Sequence, residues 1–156
     1  MNQPTTIAVD LAKNVFEIAV SKHAGKVCER RRLSRKRLLQ FFAERQSATV
    51  LLEACGSAHY WARELRKLGH APTLLPPKDV RPYVRGNKTD RSDAKALLEA
   101  YRNEDIHPVP VKSRAQHTLT ALHRLRSSWL ANRTARINSV RGILRELGFT
   151  LSLIHI

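Results

Sequence analysis

Two apolar runs that each end on a carboxylate constrain this chain more than any other feature. The first is Ile7-Ala8-Val9-Asp10, and the second extends from Ala48 to Glu53. Placing an acid at the end of a hydrophobic strand costs free energy unless positive charge lies beside it. Asp10 alone is explained equally well as a turn residue at the end of a strand. Two such runs in an otherwise basic chain favour a shared site to which both acids contribute.

The order of the predicted elements indicates an α/β domain. Three strands come first, over residues 5–10, 15–21 and 26–32, and form an antiparallel meander. A helix, a strand, a second helix and another strand follow. These elements are a helix capped by Ser34 that ends near Arg45, a strand over 49–53, a helix that starts at Gly56-Ser57 and ends at Gly69, and a strand over 73–75.

The connections between strands predict where the two acids lie. Strands joined by crossover helices run parallel, so the fourth and fifth strands are expected to be parallel to the first. Asp10 and Glu53 then lie on neighbouring strand ends at one edge of the sheet, where ligands gather in such folds. The expected fold class is α/β, a ribonuclease-H-like mixed five-stranded sheet with flanking helices, followed by a long basic helix.

Two further acids, Asp90 and Asp93, open a helix that is predicted to extend to about Tyr101. Residues three apart lie on one helical face, so both carboxylates can approach a single point. An acid at the N-cap with another three residues later is also ordinary helix capping. The two interpretations are compatible, and without Asp10 and Glu53 capping would be the better one.

Together, Asp10, Glu53, Asp90 and Asp93 are hypothesised to form one site for divalent cations. Hard oxygen ligands suit Mg²⁺ (or Mn²⁺), and two such ions can activate a nucleophile and stabilise the leaving oxygen at a phosphodiester. Rival chemistries have weaker support. The histidines lack zinc-ligand spacing, there is no glycine-rich phosphate loop, and Ser57 is better explained as an N-cap than as a nucleophile.

Positive charge dominates the composition. The chain carries 28 Lys and Arg against 13 Asp and Glu, a formal charge of +15, which favours nucleic acid as the partner. A mobile basic loop is expected at Arg81, Arg85 and Lys88. No apolar run reaches the roughly 18 residues of a membrane span, and the N-terminus has no signal-peptide core. Cys28 and Cys55 follow no metal or disulfide pattern, which fits a reducing cytoplasm.

A long helix is predicted from Ser113 to Leu147, a stretch with a single glycine and no proline. Apolar residues seven apart, such as Leu122 and Trp129, give it partial heptad character, so we expect it to pair with a second copy of the chain. A charge run is usually a solvated face, but many arginines against one acid favour phosphate contact. The candidate nucleic-acid contacts on this helix are Arg124, Arg126, Arg133, Arg136 and Arg141.

These motifs resemble those of the DEDD-type transposases of bacterial insertion sequences, which have a RuvC-like domain and are similar to RNA-guided recombinases. The matching segments are residues 8–13, 52–56 and 86–94, and the resemblance covers about residues 5–149. It implies that Asp10, Glu53, Asp90 and Asp93 are the D, E, D and D that bind metal and catalyse DNA strand cleavage and transfer. It also implies a DNA partner, raises a guide RNA as another, and places the protein in the bacterial cytoplasm, associated with the nucleoid.

The predictions divide the chain into three parts. These are a catalytic domain over residues 1–110, the long basic helix over 111–150, and a non-native or truncated tail over 151–156. In the resembling family a second domain carries a serine thought to attack DNA, and nothing in this chain matches it. We therefore expect the chain by itself to be inactive.

Two other functions stay open from the sequence. A stand-alone RuvC-like nuclease, such as a junction resolvase, would use the same acids and the same metal. A non-catalytic nucleic-acid-binding module would use the acids only to cap helices and to interact with solvent. Stabilisation of the fold by divalent metal would separate both enzymes from the binding module.

Overall fold

The protein is described by a computed structural model over residues 5–23, 26–84 and 90–151, without the side chains of His23 and of residues 90–92. The chain forms two compact units, residues 1–111 and residues 112–156. The first unit is an α/β structure and the second consists of one long helix with its flanking segments.

The first unit is built on a mixed five-stranded sheet in the order β3-β2-β1-β4-β5. Its strands are β1 (Thr6–Leu11), β2 (Val15–His23), β3 (Lys26–Ser34), β4 (Thr49–Glu53) and β5 (Ala71–Leu75). The pairs β1–β2 and β2–β3 are antiparallel, whereas β4 is parallel to both β1 and β5. The predicted ribonuclease-H-like fold class is confirmed, since the meander and the two crossovers occur in the expected order.

Helices cover both faces of this sheet. They are α1 (Leu38–Ala43), α2 (Ala58–Lys67), α3 (Pro77–Val80) and α4 (Asp90–Ala100), with a 3-10 helix (Arg81–Tyr83) directly after α3. Residues of β1 alternate between two apolar clusters: Ile7 and Val9 pack with α1 and α2, whereas Ala8 packs with α4. This period of two places the odd-numbered and even-numbered residues of the strand on opposite faces.

Local predictions at the two crossover helices were partly wrong. Ser34 does not cap α1, because it pairs with Val15 as the last residue of β3, and α1 begins only at Leu38. Ser57 occupies the N-cap position of α2, but its side chain makes no capping hydrogen bond. The pairing of β3 with β2 therefore outweighed the capping preference of a serine.

The end of α2 was predicted correctly at Gly69. This glycine has φ +83°, a left-handed conformation that costs a residue with a Cβ atom free energy. The Gly69 N–H donates to the carbonyl of Arg66, and the His70 N–H donates to the carbonyl of Leu65. These two bonds form a Schellman motif, which ends the helix and turns the chain into β5.

The second unit contains α5 (Arg114–Glu146), a helix of 33 residues. Ser113 and Gln116 cap its start reciprocally: the Ser113 hydroxyl accepts from the Gln116 N–H, and the Gln116 side chain accepts from the Ser113 N–H. Within α5, every residue of which is described, no side chain is buried. Among the described residues no helix is both long and apolar enough to cross a membrane.

Candidate functional site

Asp10 and Glu53 lie side by side at the carboxyl ends of two parallel strands. The register of β1 and β4 pairs Val9 with Leu52, so the next position on each strand is one of the two acids. Neighbouring strands are about 4.8 Å apart. Ala8 and Leu51, two residues before the acids, both face the cluster formed with α4. Because side chains alternate along a strand, both carboxylates face the α4 side of the sheet.

Asp93 reaches the same region from the first turn of α4. Ala94 and Leu97 of this helix are buried in one cluster with Ala8 and Leu51, which fixes the helix against β1 and β4. Asp10, Glu53 and Asp93 all line one cavity of about 770 Å³. The other residues that line it are Leu11, Ala12, Cys55, Pro77, Val80, Arg81 and Val84. Three of the four predicted acids therefore meet at one opening at the carboxyl edge of the sheet.

The fourth predicted acid, Asp90, is the first residue of α4, and its side chain lies outside the described residues. Within the described part of the chain, no three His, Cys, Asp or Glu side chains are grouped closely enough to hold a metal ion. The three acids thus share the walls of one cavity without converging on a single point. Their carboxylate oxygens are nevertheless the donor type that Mg²⁺ and Mn²⁺ prefer.

The predicted basic loop contributes one described residue to this cavity. Arg81 belongs to the 3-10 helix and lines the cavity with the acids, whereas Arg85 and Lys88 lie outside the described residues. The planar guanidinium of an arginine can hold a phosphate through two parallel hydrogen bonds. The cavity therefore presents carboxylates that can bind cations and a guanidinium that can bind an anion.

The predicted arginines of α5 lie on a helix whose apolar side chains are also accessible. Arg124, Arg126, Arg133 and Arg136 are exposed, and Arg141 is half-buried. Trp129 is 70% exposed, and it borders a shallow groove with Asn132, Arg133, Arg136 and Ile137. The helix thus presents a large aromatic ring between arginines.

Sequence reasoning missed Glu17, which extends the acidic row across the sheet. The register places Glu17 of β2 directly opposite Asp10, and Arg32 of β3 directly opposite Glu17. Residues opposite each other on antiparallel strands face the same side of the sheet. The Glu17 carboxylate accepts an ion pair from Arg32 Nε at 3.3 Å. Counting from the short turn between β1 and β2, whose register is regular, would have placed Glu17 opposite Asp10.

Comparisons with known proteins agree on one family. A model of a protein family described as "Transposase", of the DEDD and IS110 type, matches residues 7–149. The chain is similar to a "Probable family 20 transposase" of Pseudomonas aeruginosa, with 48% identity over 143 residues, which are 91% of this chain and 42% of that protein.

Two more relatives carry similar names. A "Transposase for insertion sequence element IS1328" of Yersinia enterocolitica is 36% identical over 151 residues, which are 97% of this chain and 45% of the relative. A "Transposase for insertion sequence element IS1111A" of Coxiella burnetii is 37% identical over 146 residues, 94% of this chain and 40% of the relative. The chain thus spans between 40% and 45% of the length of these relatives.

Proposed function

This chain belongs to the transposase family of the DEDD and IS110 type, and we propose that it is the catalytic part of an enzyme that cleaves and transfers DNA strands with divalent metal ions. The observation that carries the proposal is the cavity that Asp10, Glu53 and Asp93 line together. Since the chain spans less than half of its relatives, the activity of the whole protein is part of the proposal.

Asp10, Glu53 and Asp93 would hold Mg²⁺ or Mn²⁺, together with Asp90 at the start of the same helix. When bound, such ions activate a nucleophile and stabilise the leaving oxygen of a phosphodiester. The chain's own contribution is to fix the acids on rigid elements. Two acids lie at the ends of buried strands and one belongs to a helix packed on the sheet, so their backbone positions change little when a ligand binds.

Charge balance supports a cation at this site. Like charges on neighbouring strand ends destabilise the fold, and a bound cation removes that repulsion. Arg81 on the cavity wall offsets part of the negative charge and is suited to a DNA phosphate. A metal ion and a phosphate can therefore be held side by side in the cavity.

The second unit is proposed to bind nucleic-acid backbone and to pair with another copy of the chain. Its exposed arginines suit phosphates, and the exposed ring of Trp129 and the side chain of Leu122 suit a helix partner. The same arginine contacts are available to a guide RNA. A protein with these partners would act in the bacterial cytoplasm, at the nucleoid.

Thermal unfolding in the presence of divalent metal tests the site. A ligand that binds only the folded state stabilises it by mass action, about 2.7 kcal/mol at 100 times its Kd. For a chain of this size that gain raises Tm by about 5–10 °C. Millimolar Mg²⁺ or Mn²⁺ should raise Tm of the wild type in this way, and Asp10→Asn or Glu53→Gln should abolish most of the increase.

Glu104→Gln is the matched control, because Glu104 is an exposed acid of the same unit and does not line the cavity. Its metal-dependent increase in Tm should equal that of the wild type. Equal melting of the wild type in metal and in EDTA would contradict the metal site and would favour a nucleic-acid-binding module without metal chemistry.

A further inference from the structure

We propose that a basic surface beside the acidic cavity binds the backbone of the duplex DNA that leads into it, an inference that rests on the proposed function. We name this surface the β3 basic edge. It comprises Lys13 in the β1–β2 turn, Arg30 and Arg32 in β3, and Arg35, Lys36 and Arg37 in the turn after β3. All six side chains are exposed.

Most of the charge of this surface comes from one short segment. Six of the eight residues from 30 to 37 are Lys or Arg, and the next acid along the chain is Glu44. Such a density of one sign raises the local concentration of a polyanion and speeds its association. It also keeps an edge strand from pairing with another chain, which is the simpler structural explanation for it.

The position of this segment favours DNA binding over a role limited to keeping β3 from pairing with another chain. Ser34 pairs with Val15, and the Arg35 N–H donates to the carbonyl of Asn14 at 3.1 Å. The turn from 12 to 14 directly follows β1, whose end carries Asp10. The basic turn and Lys13 are therefore at the same edge of the sheet as the acidic cavity.

The strand register gives the distance between the acids and the basic surface. Asp10, Glu17 and Arg32 form one row across three adjacent strands, on one face of the sheet. Two strand spacings amount to about 10 Å. Duplex DNA rises about 3.4 Å per nucleotide along its axis and its phosphates also rotate about that axis, so this distance spans fewer than about three nucleotides of one strand. A backbone whose reacting phosphate lies at Asp10 would thus bring a phosphate one or two positions along the same strand to Arg32.

Neighbouring side chains hold two of these cations in place. The Arg35 guanidinium lies over the Trp61 ring, 5.0 Å from its centroid, and Arg32 is paired with Glu17 at 3.3 Å. Among the described residues, Lys13, Lys36 and Arg37 have no carboxylate within ion-pair distance. These three charges are not neutralised within the described fold, so DNA phosphates can release counterions from them.

The test uses two triple variants of the full chain that lose the same charge. Lys13→Gln, Lys36→Gln and Arg37→Gln remove charge from the β3 basic edge. Lys22→Gln, Lys26→Gln and Arg66→Gln remove it from exposed positions at the opposite edge of the sheet. Affinity for a fluorescent duplex of about 20 base pairs is measured by anisotropy in EDTA, over a range of salt concentrations.

Each lost phosphate contact reduces the magnitude of the negative slope of log K against log salt by about 0.9, so the first triple variant should reduce it by about 2–3. The opposite-edge variant should keep the wild-type slope. Equal slopes in all three proteins would overturn the proposal, and so would the same decrease in both variants, which would reflect net charge alone. A decrease seen only with an RNA duplex of the same sequence would overturn the choice of DNA.

Two single variants test the proposal even if the triple variant does not fold. Lys36→Gln alone should reduce the magnitude of the slope by about 0.9, and Lys36→Arg should keep the wild-type slope, since the charge is kept. An equal slope for these two variants would count against the proposal. The binding experiment contains no metal, so its result is independent of the melting experiment that tests the acidic cavity.

Discussion

His70 joins three segments of the first unit through one buried imidazole ring. Its Nδ1 accepts from the Ala48 N–H at 3.2 Å, and its Nε2 lies 3.0 Å from the carbonyl of Phe42. The same ring packs edge-on against the Phe42 ring at 5.0 Å. Nδ1 is therefore the acceptor and Nε2 carries the proton. The ring connects the end of α1 to the segments that enter β4 and β5.

Glu29 makes the first prediction at the scale of single residues. Arg45 donates to both of its carboxylate oxygens at 2.9 Å, and these hydrogen bonds hold the pKa of Glu29 below its ordinary 4.5. Arg31 adds a bond at 2.8 Å. The unfolded state therefore binds more protons than the folded state near this pH, so stability rises with pH through the titration of Glu29.

Glu29→Gln should consequently lower the free energy of unfolding by about 0.5–1 kcal/mol at neutral pH, the range of partly exposed ion pairs. The difference from wild type should shrink as pH falls below about 4.5 and through the lowered pKa, because Glu29 is then protonated in both states. Urea unfolding at pH 7 and at pH 3 measures both values. A difference that stays constant with pH would contradict the assigned ion pair.

Particular residues also show which parts of the site and the core could be predicted from the sequence and which could not. Asp10 and Glu53 were predictable because each ends an apolar run, and a strand keeps its alternation of faces to its end. Glu17 was not singled out because its partner Arg32 is set by the register of two strands. His70 was missed because its hydrogen bonds join segments more than twenty residues apart in the chain.

At the scale of elements, hydrogen bonding between strands decided where β3 ends and α1 begins, which local residue preferences could not predict. The strand β3 extends to Ser34 and not to Arg32, because β2 supplies partners for the additional residues. The helix α1 is correspondingly short and starts at Leu38. The ends of α2 and α5 were easier to predict, since Gly69 and Gly148 supply the positive φ that a Schellman motif requires.

The long helix α5 gives the prediction at this scale. Changing Arg126, Arg133 and Arg136 to Gln keeps helix propensity and removes three exposed charges. Far-ultraviolet circular dichroism should therefore be unchanged. The slope of log K for DNA against log salt should become smaller in magnitude by about 2–3, because three phosphate contacts are lost.

Arg141 is left unchanged in this variant, because its Nε is buried and has no hydrogen-bond partner among the described residues. A substitution there would mix a change in packing with the loss of charge. An unchanged salt slope in the triple variant would mean that the arginines of α5 only interact with solvent.

At the scale of the whole molecule, the protein combines an acidic cavity with a large excess of positive charge. The formal charge of +15 is carried by both compact units: the β3 basic edge belongs to the first, and the arginines of α5 belong to the second. A chain of this composition attracts DNA over its surface, whereas the acids of the cavity repel phosphate. A divalent cation in the cavity would turn that repulsion into attraction.

The most direct test of this account is a crystal of the 156-residue chain soaked in Mn²⁺, with diffraction measured for the anomalous signal of manganese. We predict a peak in the cavity with carboxylate oxygens of Asp10 and Glu53 about 2.1 Å away, near the distance that Mg²⁺ prefers. The peak should be absent in crystals of Asp10→Asn soaked in the same way. A map with no peak in this cavity, or with manganese held only by other residues, would contradict the proposed metal site.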